Sequence, residues 1–162
     1  MTYMNSQELA VTQIFSLMDH SSAQTCGVWS WGIKGENVLQ VSKYVTLFLR
    51  KTNIDSSKLP VALLYLKKIQ GKVPINSSTW YRLTITAIVV ASKMMDDSCL
   101  RIQDFARCAV SISPEILVLL EQKFLEMLEF NAIPVFKSEA KELTESEYSL
   151  FDSADAELRE VF

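Results

Sequence analysis

The sequence predicts an all-α fold. Five consecutive helices form a single unit, called the box below, with an extra helix before it and a short acidic C-terminal extension after it. Apolar residues recur at spacings of three and four in one segment after another, which is typical of amphipathic helices. Gly and Pro number only 4 each among 162 residues, which excludes a turn-rich β-sandwich and a low-complexity chain. The hydrophobic share of 49% and the length suit one domain with a sizeable core.

Terminal signals and periodicity divide the chain into helices and loops. A cap at Asn76 or Ser77 opens the longest helix, and Ser113 followed by Pro114 opens the last helix of the box. Residues 20–34 contain glycines and form a loop that Trp29 and its neighbour Trp31 pin to the body. The predicted helices cover about 6–18, 36–51, 57–70, 76–95, 101–109 and 113–130.

The predicted organisation has three parts: residues 1–35 as the N-terminal helix and loop, 36–136 as the box, and 137–162 as the acidic extension. The extension carries 3 basic and 8 acidic residues, net −5, against +2 for the rest of the chain. A charge run of this kind is usually a solvated extension. Its several apolar side chains leave open that it docks onto a basic partner or onto the box itself.

Composition also argues against several classes of protein. The formal net charge of −3 argues against a nucleic-acid partner, which needs a basic surface. The longest apolar stretch, 83–95, is shorter than the roughly 20 residues that span a bilayer, so no membrane segment is expected. Three cysteines without a CxxC spacing favour an intracellular location, in the cytoplasm and/or the nucleus. With one histidine, we expect no metal site and no cofactor.

The helix over 76–95 is apolar nearly all the way round, as a central helix surrounded by others would be. One narrow line of residues interrupts the apolar surface: Arg82, Thr86 and Lys93, with Val89 between them, at spacings of four, three and four. The pattern predicts that the buried helix reaches the surface along this line.

The last helix of the box has a charge in an unexpected place. Leu117, Leu120, Phe124 and Leu128 form its apolar stripe, and Glu121 falls inside that stripe. Burying a carboxylate among apolar side chains is costly unless the charge is paired.

Two interpretations of these charges stay open at this stage. Glu121 lies at the edge of the stripe or pairs internally with Lys93, or both charges belong to a mixed patch that a partner covers. A catalytic acid–base pair is a distant third, because the sequence places no nucleophile or oxyanion donor near them.

Three segments together resemble the cyclin family: LPVALLYLKKI at 59–69, TWYRLTITAIVVASKMMDD at 79–97 and ISPEILVLLEQKFLEMLEFNAIP at 112–134. They are similar to the second, third and fifth helices of a cyclin box, and the resemblance covers about 38–135. Within the family, the third-helix sequence, the Asp-Asp after it and the single box resemble the P-type, phosphate-pathway cyclins.

The resemblance implies a partner and a set of contacts. In cyclins, the Lys that closes the third box helix and a Glu in the fifth both contact a cyclin-dependent kinase, and residues beside them pack on its mobile regulatory helix. The line on the third box helix adds three further candidates from geometry. The candidate kinase-binding residues are therefore Lys93, Glu121, Met94 and Leu125 by resemblance, and Arg82, Thr86 and Val89 by geometry.

These observations predict a regulatory subunit that binds and activates a cyclin-dependent protein kinase, in cell-cycle or nutrient and phosphate signalling. No phosphate-binding loop is present, so no catalytic residues and no small-molecule substrate are expected. The alternative is a cyclin-fold adaptor that binds a transcription-related protein without activating a kinase. A small enzyme using Cys26 and His20 is the remaining option, since these two alone offer a nucleophile with a nearby base.

Overall fold

The computed structural model describes residues 5–21, 27–30 and 36–133. Within these ranges there are six α-helices and no strand, so the predicted all-α class is confirmed. Short 3₁₀ turns at Gly27–Trp29 and Ser56–Lys58 accompany them. The helices are α1 (Ser6–Leu17), α2 (Val38–Thr52), α3 (Leu59–Ile69), α4 (Trp80–Met95), α5 (Ile102–Cys108) and α6 (Pro114–Met127).

Local capping explains where several helices begin. The Asn5 side chain accepts a hydrogen bond from the Glu8 amide at 2.7 Å, and the Glu8 carboxylate accepts one from the Asn5 amide at 3.2 Å. This reciprocal pair satisfies two amide groups that the first turn of α1 would leave unbonded. At α6, the Ser113 hydroxyl caps the first turn and Pro114 occupies the first helical position, as the sequence predicts.

Helix α4 lies at the centre of the box. It packs against α3 on one side and α6 on another, and every residue from 80 to 92 is buried. The prediction of a central helix is therefore confirmed. Helix α1 packs against α2 and α3 and contributes Ala10, Val11 and Ile14 to the common core, so the N-terminal helix extends the apolar interior of the box.

Helix α4 begins at Trp80, four residues after the earliest predicted cap. The Asn76 carboxamide oxygen accepts hydrogen bonds from the Ser78 and Thr79 amides at 2.9 and 3.2 Å. The Thr79 hydroxyl in turn donates to the Pro74 carbonyl at 2.7 Å. Asn76 therefore does cap, but it caps a separate turn that precedes the helix.

Helix α6 ends at Met127, earlier than the predicted Phe130. Glu129 and Phe130 adopt left-handed backbone angles, with φ of 55° and 57°. Each costs about 1–2 kcal/mol for a residue with a Cβ, so other contacts must hold them. The Phe130 amide donates to the Leu125 carbonyl at 2.8 Å, and the Lys72 ammonium donates to the Met127 carbonyl. These two bonds close the end of α6 and turn the chain away from the helix axis.

Some predictions concern residues outside the described ranges. Trp31, Cys26 and the acidic extension 137–162 are among them, so the predictions about them stay predictions. Among the described residues, no helix is long and apolar enough to cross a membrane.

Candidate partner-binding surface

An ion pair joins the C-terminal end of α4 to the middle of α6. The Lys93 ammonium lies 2.7 and 2.9 Å from the two carboxylate oxygens of Glu121. The Lys93 side chain is 30% exposed and that of Glu121 is 18% exposed. Of the arrangements that the sequence left open, the internal pair is the one present. Each charge therefore has a partner within the chain and still reaches the surface.

Apolar side chains lie near the ion pair along the sequence of α4 and α6. Met94 directly follows Lys93 and is 42% exposed. Leu125 is half-buried and lies one helical turn after Glu121. Phe130, 70% exposed, is tied to Leu125 by its amide hydrogen bond. We call these five residues the partner surface. It combines exposed apolar groups with partly desolvated charges, the composition typical of protein–protein contact centres.

The line on α4 reaches the surface only at Lys93, so the prediction is wrong for its other three residues. Arg82 is only 5% exposed, and Thr86 and Val89 are fully buried. The short segment 27–30 lies over α4, and one guanidinium nitrogen of Arg82 donates to the Val28 carbonyl at 2.6 Å. The Thr86 hydroxyl donates to the Arg82 carbonyl at 2.6 Å. Backbone carbonyls therefore accept hydrogen bonds from polar groups that were predicted to face solvent.

Burial has an electrostatic consequence for Arg82. Desolvation lowers the pKa of its guanidinium from the ordinary value. The ordinary pKa of arginine lies so far above neutral pH that the lowered pKa still leaves the group charged. A buried cation has to keep its hydrogen bonds. Arg82 thus anchors the segment 27–30 to α4, and of the four residues on the predicted line only Lys93 belongs to the partner surface.

Trp29 provides the second anchor of that segment. Its indole is buried and lies edge-on to the Phe124 ring, with centroids 6.3 Å apart and an interplanar angle of 64°. The prediction that a tryptophan pins this loop is confirmed for Trp29. Phe124 belongs to the buried stripe of α6 and lies three residues after Glu121, so the segment supports α6 close to the ion pair.

A second ion pair fixes the end of α4. Lys58, just before α3, lies 2.9 Å from Asp96, and the Ser92 hydroxyl donates to the same carboxylate at 3.1 Å. These two hydrogen bonds, the Lys58 one first, lower the pKa of Asp96 below its usual value. The last turn of α4 is thereby held on both sides, which limits how far Lys93 can move.

The sequence analysis missed Phe130 because it extended α6 through that position. Only the left-handed turn directs the ring outward, and nothing in the apolar spacing signals such a turn. A bulky residue in this conformation is an outlier, and outliers cluster at functional sites. Within the described residues, no three His, Cys, Asp or Glu side chains gather to hold a metal ion.

Comparison with known proteins identifies the fold. A sequence model of the protein family described as Cyclin matches residues 7–132. The chain belongs to the cyclin family. This cyclin is 32% identical over 90 residues to Cyclin-U4-2 from Arabidopsis thaliana, a match that covers 54% of the chain and 41% of that protein. The match therefore spans less than half the length of that curated relative. Cyclins are regulatory proteins and not enzymes themselves, and they generally bind cyclin-dependent kinases.

Proposed function

We propose that this cyclin binds and activates a cyclin-dependent protein kinase through the partner surface. One observation carries the proposal: an ion pair that bridges α4 and α6 while staying partly exposed, next to Met94 at 42% exposure. An ion pair with a purely stabilising role needs no exposed apolar neighbour. Charges already held in position can form hydrogen bonds to a partner without further loss of side-chain entropy.

Activation follows from differential binding. A protein kinase needs the ion pair between its strand Lys and its mobile helix Glu, and the bound cyclin favours the conformation in which that pair is formed. Shifting such an equilibrium from 1:99 to 99:1 takes about 5.5 kcal/mol of differential affinity. An interface of standard size, roughly 1,600 Å², supplies this if its centre packs well. A rigid surface, held by the caps and pairs described above, suits that task.

A charge-swap series tests the proposal. Lys93→Glu and Glu121→Lys each break the ion pair, and the double variant restores it in reverse. If the pair only stabilises the fold, the double variant regains kinase binding. If the two charges contact the kinase, all three variants lose at least tenfold in affinity, because the reversed charges face the wrong groups on the partner. Recovery of full binding by the double variant would overturn this role for the pair.

Matched controls lie on the same helix. Lys123→Glu and Glu126→Lys make the same charge changes at exposed positions of α6 outside the partner surface. We expect both controls to bind and activate the kinase like the parent chain. The measurement is capture of kinases from the source cell, followed by phosphorylation assays on the captured complexes. Capture of other proteins without any kinase would favour the alternative function, a cyclin-fold adaptor.

The finer assignment is part of the same proposal. We propose a P-type, phosphate-pathway-like cyclin that acts inside the cell, in nutrient or cell-cycle signalling. Support comes from the sequence of α4 and the Asp96-Asp97 pair after it. The test is whether the kinase activity captured with this cyclin changes when cells are shifted between phosphate-rich and phosphate-poor medium. Unchanged activity would argue against the phosphate role.

A further inference from the structure

A stretch of forty residues in the middle of the chain contains no acidic side chain. From residue 56 to residue 95 there are basic residues but neither Asp nor Glu. Three of the basic residues, Lys67, Lys68 and Lys72, lie within six positions at the C-terminal end of α3 and just after it. Because these three lysines lie so close together along the chain, the end of α3 carries a local concentration of positive charge.

The described part of the chain ends beside this positive charge. The Tyr65 hydroxyl donates a hydrogen bond to the carbonyl of Ala132, which pins the segment after α6 onto α3. Lys72 binds the Met127 carbonyl and lies 3.2 Å from the Glu129 carboxylate. Ile133 follows and is 65% exposed. Ile133, the last described residue, therefore directly follows a residue that is bonded to Tyr65 on α3.

Those residues carry the opposite charge. Residues 137–162 hold 8 acidic and 3 basic side chains together with several apolar ones. Six extended residues reach about 20 Å, so the first acidic groups can contact Lys67, Lys68 and Lys72 without strain. Tethering raises the effective concentration of the segment to about the millimolar range, so even weak exposed charge contacts suffice for docking.

We propose that residues 137–162 dock onto the surface formed by Lys67, Lys68, Lys72 and Ile133, which we call the α3 basic surface. The docked segment runs next to Phe130, at the edge of the partner surface. The inference goes beyond the proposed function and does not depend on it, because the contact lies within one chain.

Zero-length carbodiimide cross-linking of the full chain tests the docking. This reagent joins a lysine amine to a carboxylate only where the two groups touch, and mass spectrometry of the monomer fraction maps the products. At about 50 mM salt, we expect cross-links from residues 137–162 to Lys67, Lys68 and Lys72 to exceed those to Lys43 and Lys51 on α2 by about fivefold. The excess should fall steeply near 1 M salt, where the Debye length is only about 3 Å.

A variant pair sharpens the test and uses Lys72 as the reporter. Replacing Lys67 and Lys68, both half-buried, by Gln should lower the cross-linking of Lys72 to the extension about threefold, the effect of losing two weak charge contacts. The matched control, Lys43→Gln with Lys51→Gln, should leave the Lys72 yield unchanged. Two results would overturn the docking. One is an equal cross-linking yield at the α3 basic surface and at Lys43 and Lys51 of the parent chain. The other is an equal loss of Lys72 cross-linking in both variants.

Discussion

Replacing Trp29 by Ala tests whether the segment 27–30 is an integral part of the folded box. The indole is 5% exposed and lies edge-on to Phe124, so the substitution removes a buried aromatic side chain and one ring pair. Large-to-small changes of this kind cost about 3–5 kcal/mol, of which the ring pair contributes about 0.5–1.5. The segment is short and can relax, so we expect a loss near the lower end, about 3 kcal/mol. For a domain of this size that lowers Tm by about 12 °C.

Thermal and urea unfolding followed by circular dichroism measure the loss. Trp29→Phe keeps a ring beside Phe124 and should cost about half as much as the Ala variant. Combining Trp29→Ala with Phe124→Leu should show a coupling of about 1 kcal/mol, because the two side chains touch. A cost below about 1 kcal/mol for Trp29→Ala would show that the segment adds little to the core and is not an integral part of the folded box.

Three further predictions concern single contacts elsewhere in the box. Asp96→Asn should destabilise the chain at pH 7. The difference in unfolding free energy from the parent should shrink as the pH falls below about 4, because a carboxyl group with a depressed pKa stabilises the fold only while it is ionised. Urea unfolding at pH 7 and 3 checks this. Tyr65→Phe should cost about 1–2 kcal/mol and speed amide exchange near Ala132, whose carbonyl loses its donor. Ser113→Ala should cost about 1 kcal/mol in urea unfolding, whereas Ser113→Asp, which keeps a capping oxygen, should match the parent.

Much of the fold was predictable because its signals are local. Ser113 and Pro114 mark the start of α6, and the periodicity of α4 indicates a central helix. The position of the exposed line on α4 was not predictable in the same way. Arg82 and Thr86 look like surface residues in any projection of an isolated helix, but both are buried in the folded box, where Arg82 binds the segment 27–30, remote in sequence. Periodicity shows which residues differ from the apolar majority, but it cannot show what covers them.

The candidate site, like the fold, was predictable only in part from the sequence. Lys93 and Glu121 attracted attention because each charge conflicts with an apolar pattern on its own helix. Their direct contact was one of several arrangements that the sequence left open, because helix–helix register depends on the packing of the whole box. Phe130 gave no signal at all, since its exposure depends on two left-handed residues that are held by Lys72 and the Leu125 carbonyl.

Helix α4 forms the centre of the core and also connects the buried interior to Lys93 on the partner surface. Its 16 residues span about 24 Å, and a hydrogen-bonded helix transmits a displacement along its axis with little loss. We expect a displacement of α4 at Trp80 to change the position of the Lys93 ammonium as well, because the backbone hydrogen bonds of the helix resist bending. Substitutions in the interior should change the affinity for a partner without altering the partner surface. The change in affinity should grow with the distance or angle by which they displace α4. We therefore expect the affinity of this cyclin for its proposed partner to depend in part on buried residues that do not contact the partner.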